Sequence, residues 1–97
     1  MKGKPKVGEV WIAKSTEDDC EGIIWWYQII ALVKNGGRTW YIAIKGNGDG
    51  GVFTNIFDEQ GRDQLGPGYP SYPEYCHYLT RRSRAKPFLE VVGEQGA

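Results

Sequence analysis

The amino-acid sequence predicts a mainly β fold, a small five-stranded SH3-like (Tudor-like) barrel or a strongly twisted antiparallel meander with one long irregular excursion. Three observations lead there. Ile23 to Val33 contains no Gly or Pro and is dominated by Ile, Trp, Tyr and Val, residues that fit a pleated, half-buried surface. Asn35-Gly36-Gly37 follows at the point where the chain must reverse, and these residues tolerate the positive φ of a tight hairpin. Fourteen Gly and five Pro, with four Trp, six Tyr and three Phe, supply many turns and much apolar area from few positions, as short-stranded β proteins require.

Each element can be justified in order. Val7 to Ala13 places Val7, Val10, Trp11 and Ile12 after Pro5 and reads as a first strand. Ser15 to Glu21 gathers Glu17, Asp18, Asp19 and Glu21 into an acidic, solvated loop. Ile23 to Val33 is the long second strand, and Arg38 to Lys45 resumes after the turn as the third. Gly46 to Gly51 is too rich in turn residues to be anything but a loop. Val52 to Phe57 is the fourth strand, ended by Asp58-Glu59-Gln60-Gly61. Arg62 to Pro87 shows no clean period, although Tyr75 to Arg82 fits a short helical turn or a strand. Phe88 to Val92 is expected as the closing strand. At 97 residues a single domain is expected over 1–97, with 1–6 and 93–97 as flexible ends.

This order and spacing of strands resembles SH3-like small barrels, including Tudor-type modules. Lys6-Val7-Gly8-Glu9-Val10-Trp11 also resembles the first strand of MazF-type toxin ribonucleases. That second resemblance implies an RNA-cleaving role, but the Arg-Pro step those toxins carry next is replaced here by an acidic segment.

A two-residue turn at Asn35-Gly36 or Gly36-Gly37 puts odd positions of the second strand on one face with even positions of the third. One face then carries Trp25, Tyr27, Ile29, Ala31 and Val33 with Trp40, Ile42 and Ile44, apolar throughout, and is the expected core. The other carries Trp26, Gln28, Ile30, Leu32 and Lys34 with Thr39, Tyr41, Ala43 and Lys45. Trp26 and Tyr41 beside Gln28 and Lys45 are amphipathic aromatics of the kind that make binding hot spots or base-stacking platforms, unless the excursion folds over and buries them.

Two further clusters stand out. Tyr69, Tyr72, Tyr75 and Tyr78 recur every three residues with Pro70 and Pro73 interleaved, a period that aligns the first three along one edge of a polyproline II segment. They either offer that edge to a partner or seal one side of the barrel. Arg81, Arg82, Arg84 and Lys86 place four cations within six residues. Arg is suited to phosphate or carboxylate by its forked donors, and a solvated segment answering the acidic loop is the plainer reading.

Other chemistry finds little support. Twelve basic residues balance twelve acidic ones, so the molecule lacks the field of a dedicated nucleic-acid coat or polybasic membrane binder. No stretch has signal-peptide or membrane-spanning character, and a cytoplasmic address with free thiols at Cys20 and Cys76 is expected. Cys76 and His77 are neighbours, and neighbours on a strand face opposite ways, so no nucleophile pair forms. Cys20, Cys76 and His77 fall short of a zinc set. Asn47 and Asp49 lack the remaining ligands of a calcium loop, and the same loop lacks the ending of a phosphate-binding one. Asp58, Glu59 and Asp63 flank a turn and are better read as turn-formers than as an acid/base pair. No cofactor and no metal are expected.

The pattern favours a non-enzymatic module recognising a protein or peptide, fitting an adaptor or inhibitor of the kind mobile genetic elements encode. The expected contact residues are Trp26, Gln28, Tyr41, Lys45, Tyr69, Tyr72, Tyr75, Arg81, Arg82 and Arg84. The first rival is a single-stranded nucleic-acid-binding protein in which the aromatics stack bases and the Arg cluster holds phosphates. The second is a small ribonuclease using Arg38 and Asp49.

Overall fold

The computed structural model describes residues 1–15, 21–46, 54–63 and 77–90. Among these residues five strands are formed: β1 (Val10–Ser15), β2 (Trp25–Asn35), β3 (Arg38–Lys45), β4 (Thr54–Phe57) and β5 (His77–Arg82). All are antiparallel in one sheet of order β4-β3-β2-β1-β5, and no helix occurs among the described residues. The fold is therefore mainly β, as the composition predicts.

The hairpin turns on Gly36 and Gly37, whose φ values are 61° and 76°, with Asn35 paired to Arg38 across them. Both central residues need the left-handed region, which only Gly enters without cost, so the turn chemistry fixes the register locally. Up to Ala31↔Ile42 the pairs join odd positions to even ones. Ile30 then has no partner opposite it, and from Ile29↔Ala43 to Tyr27↔Lys45 odd positions meet odd. Two residues of β2 oppose one of β3, which is a β-bulge.

That single extra residue corrects the predicted faces. Tyr27 and Ile29 are buried as expected, but they share their face with Tyr41 and Ala43, which are buried too. Trp40, Ile42 and Ile44 are half-buried on the opposite face. A face assignment that alternates without interruption inverts every β3 side chain relative to the far half of β2.

The inner face carries the core: Trp11 and Ala13 of β1, Tyr27 and Ile29 of β2, Tyr41 and Ala43 of β3, Phe57 of β4 and Leu79 of β5, with Trp25 packed against them. Burying each large apolar side chain here contributes about 1.5–3 kcal/mol. On the outer face lie Val10, Ile12, Trp26, Gln28, Ile42, Ile44 and Ile56, following the cross-strand pairs Val10↔Gln28↔Ile44 and Ile42↔Ile56.

Other boundaries differ from expectation. Val7 and Gly8 form a turn, and β1 starts at Val10. The fifth strand is His77–Arg82, which settles the choice between a helical turn and a strand for Tyr75 to Arg82, whereas Phe88 to Glu90 form no strand; Val91 and Val92 lie outside the described residues. β5 earns its place by pairing with β1, which removes β1 from the edge, a tertiary gain with no local signature.

The sheet is not closed into a barrel. β4 and β5 do not pair; Gly61 to Asp63 span the gap between them through the single bridges Phe57↔Asp63 and Arg62↔Tyr78. Asp63 N–H donates to His77 O at 2.9 Å and Leu79 N–H to Gly61 O at 2.7 Å along this seam.

Candidate functional site

Two places collect chemistry. The first is a polar group at one end of the inner face, where Tyr27, Lys45, Asn55, Asp63 and His77 converge from four strands and the seam. The Tyr27 hydroxyl and His77 Nδ1 lie 2.6 Å apart. The His77 ring stacks on Trp25 with centroids 4.3 Å apart, and Lys45 Nζ lies 5.9 Å from the centre of the same indole. Asn55 donates to Asp63 Oδ2 at 2.9 Å.

Burial sets the protonation of this group. Burial first, and the Asp63 charge second, push the Tyr27 phenol well above its ordinary range, because ionising it would place a charge on a buried group beside a second negative one. Burial, with Lys45 adding to it, pulls His77 below its usual value. Burial raises Asp63, partly offset by the Asn55 hydrogen bond. At neutral pH a protonated phenol thus meets a neutral imidazole, and the imidazole tautomer sets which of the two donates the hydrogen bond at Nδ1. Sequence reasoning discounted His77 as a nucleophile partner of Cys76 and as a zinc ligand; its hydrogen-bond partner is Tyr27, fifty positions away, which no local spacing could reveal.

The second place is the outer face. Gln28 is fully buried there: its Oε1 accepts Phe88 N–H at 3.0 Å and Leu89 N–H at 2.7 Å, and its Nε2 donates to Leu89 O at 2.8 Å. The Phe88 ring rests against Gly46, with no room left for a Cβ. Around this seat the apolar surface is incompletely covered, with Trp26, Ile56 and Phe88 still 37%, 41% and 42% exposed.

The predicted contact residues are therefore divided. Trp26, Gln28 and Arg81 belong to the outer face, and the pairs Ile12↔Trp26 and Ile12↔Arg81 set Trp26 and Arg81 in one cross-strand row. Tyr41 is buried on the inner face, so it cannot join Trp26 in one aromatic platform, and burial with the Glu59 charge raises its phenol. Lys45 belongs to the polar group. Arg81, Arg82 and Arg84 are exposed; Arg82 pairs with Glu9 at 3.1 Å and, with Arg84, borders a hollow of about 470 Å³. Tyr69, Tyr72 and Tyr75 lie outside the described residues, as does Asp49; Arg38 is exposed at the end of the hairpin.

A further cleft, of about 500 Å³, opens near that end of the hairpin over Pro5, Leu32 and Tyr41, with Lys4, Lys34 and Glu59 at its border. Among the described residues no three His, Cys, Asp or Glu side chains assemble as metal ligands, and no helix is long and apolar enough to cross a membrane.

Fold and site together describe an open five-stranded sheet with a dry inner core and an apolar, partly strapped outer face. No protein-family model, curated protein or solved structure matches the chain, so the functional reading rests on its own side chains.

Proposed function

We propose that the chain is a non-enzymatic binding module that takes a protein or peptide partner on the outer face of its sheet. The observation that carries this reading is the exposure of Trp26, Ile56 and Phe88 on the outer side of the sheet, since large apolar side chains left uncovered on one side favour association. Trp in such a setting supplies binding energy out of proportion to its number. The strand order, with β5 beside β1 ahead of a meander, suits an SH3-like module whose barrel is left open.

The test is capture from nuclease-treated lysate of the source cells, comparing the unmodified chain with a Trp26→Glu, Ile56→Glu double variant. The expected result is a polypeptide retained by the first and lost by the second, with retention that changes little between 50 and 200 mM salt, roughly the range over which phosphate-driven binding collapses. Equal retention by both proteins would reject the outer face.

The cross-strand row of Trp26 and Arg81 favours one second reading, single-stranded nucleic acid stacked on the indole with a phosphate on the guanidinium. Retained nucleic acid from an untreated lysate, released by salt and by Arg81→Ala, Arg82→Ala, is the outcome that would replace the first reading.

A further inference from the structure

Gln28 is the one polar side chain that is fully buried among the described residues. A buried carboxamide must have all its groups satisfied, and here backbone alone satisfies it. Oε1 takes the N–H groups of Phe88 and Leu89, and Nε2 returns a bond to the carbonyl of Leu89. Gln28 thus reads the donor and the acceptor of one peptide segment, a contact indifferent to which residue supplies them.

What selects the residue is the shelf beside it. Gly46 presents bare backbone to the Phe88 ring, so the shelf accepts a flat aromatic side chain at the position before the clasped one. The segment held there forms no strand, and Phe88 keeps 42% of its surface exposed. The seat is built into the sheet, on β2 and just after β3, and its occupant is held there by the three hydrogen bonds of Gln28 and by the Phe88 ring against Gly46.

We propose that Gln28 and Gly46 form a peptide slot whose resident occupant is the chain's own Pro87-Phe88-Leu89-Glu90, and whose partner is an extended peptide with an aromatic residue followed by an aliphatic one. The proposal rests on the outer face being the binding face, and it names the partner's chemistry and what regulates access. Resident and partner compete, so apparent affinity is lowered by the fraction of time the resident is seated.

The experiment uses the full chain and a labelled synthetic peptide, Arg-Ala-Lys-Pro-Phe-Leu-Glu, the sequence of residues 84–90, followed by fluorescence anisotropy. Phe88→Ala empties the shelf and leaves the slot intact, so it binds the peptide about tenfold more tightly than the unmodified chain. Adding Gly46→Ala to that variant fills the shelf and abolishes the gain. Gln28→Met in the same background removes the clasp and also abolishes it; because a change at a buried site can unfold the sheet, Gly46→Ala carries the decision, and circular dichroism verifies that it folds. A peptide with Ala in place of its Phe does not bind. Equal affinity of Phe88→Ala and the unmodified chain, or a gain that survives Gly46→Ala, would overturn the proposal. If the slot fails while capture still depends on Trp26 and Ile56, the outer-face reading stands and the slot alone falls; if capture fails as well, both fall.

Discussion

At the scale of single residues, the Tyr27–His77 hydrogen bond is the contact most exposed to pH. His77 has its pKa pulled below the ordinary 6.5 by burial and Lys45, so the folded chain binds that proton more weakly than the unfolded chain. Its contribution is therefore fully present above pH 6.5 and is lost as pH falls from there through the lower folded value. Asp63, raised above 3.8, acts in the opposite sense, its contribution being lost as pH rises through its raised value. Urea unfolding across pH 4–7 should show stability falling on the acid side of about 6.5, and His77→Gln, which keeps an acceptor for Tyr27, should flatten that slope. Tyr27→Phe should cost about 1–3 kcal/mol, because it leaves a half-buried imidazole nitrogen without its hydrogen-bond partner. None of this was legible in the sequence. A residue's partner across the sheet depends on register, and His77 looked isolated only because its neighbour in space is remote in chain.

At the scale of elements, the hairpin was the most legible part of the chain and also where the reading went astray. Its turn and the whole of β3 follow from the sequence: two Gly at the reversal and a β-branched and aromatic run on each side. Ile30 is indistinguishable from its neighbours by composition, yet it is the residue that has no place in the ladder, and so the faces of Tyr41 and Ile42 came out exchanged. The pairing itself yields a test. Deleting Ile30 leaves Ile29↔Ala43 and Ala31↔Ile42 as adjacent rungs with their faces unchanged, so that variant should unfold cooperatively and keep its β spectrum. Deleting Ala43 reverses the faces of Ile44 and Lys45 and should abolish the cooperative thermal transition. Gly37→Val should lower stability by about 1–2 kcal/mol in chemical denaturation, since φ at 76° is a region a β-branched residue enters only under strain.

At the scale of the whole molecule, the mainly β class and the placement of four strands could be read in advance, because they rest on local pattern. The open seam could not, and the fifth strand was only one of two options for Tyr75 to Arg82, because both depend on contacts between distant segments. β5 reaches β1 across most of the chain, with Leu79 opposite Ala13 and His77 opposite Ser15. Leu79→Ala removes a fully buried side chain from this late, non-local contact and should cost about 2–5 kcal/mol. Non-local pairing has its closure entropy to overcome first, so the loss should appear mainly as faster unfolding in stopped-flow kinetics. The seam has a bearing on crowding as well. An open sheet ordinarily offers its outermost backbone to neighbouring molecules, a template for fibres. Here β4 is only four residues long, and the outward groups of β5 at His77, Leu79 and Thr80 are engaged by Asp63, Gly61 and Lys2. A few bridging residues thus do for aggregation what a closed barrel would do, and leave the sheet able to stay open.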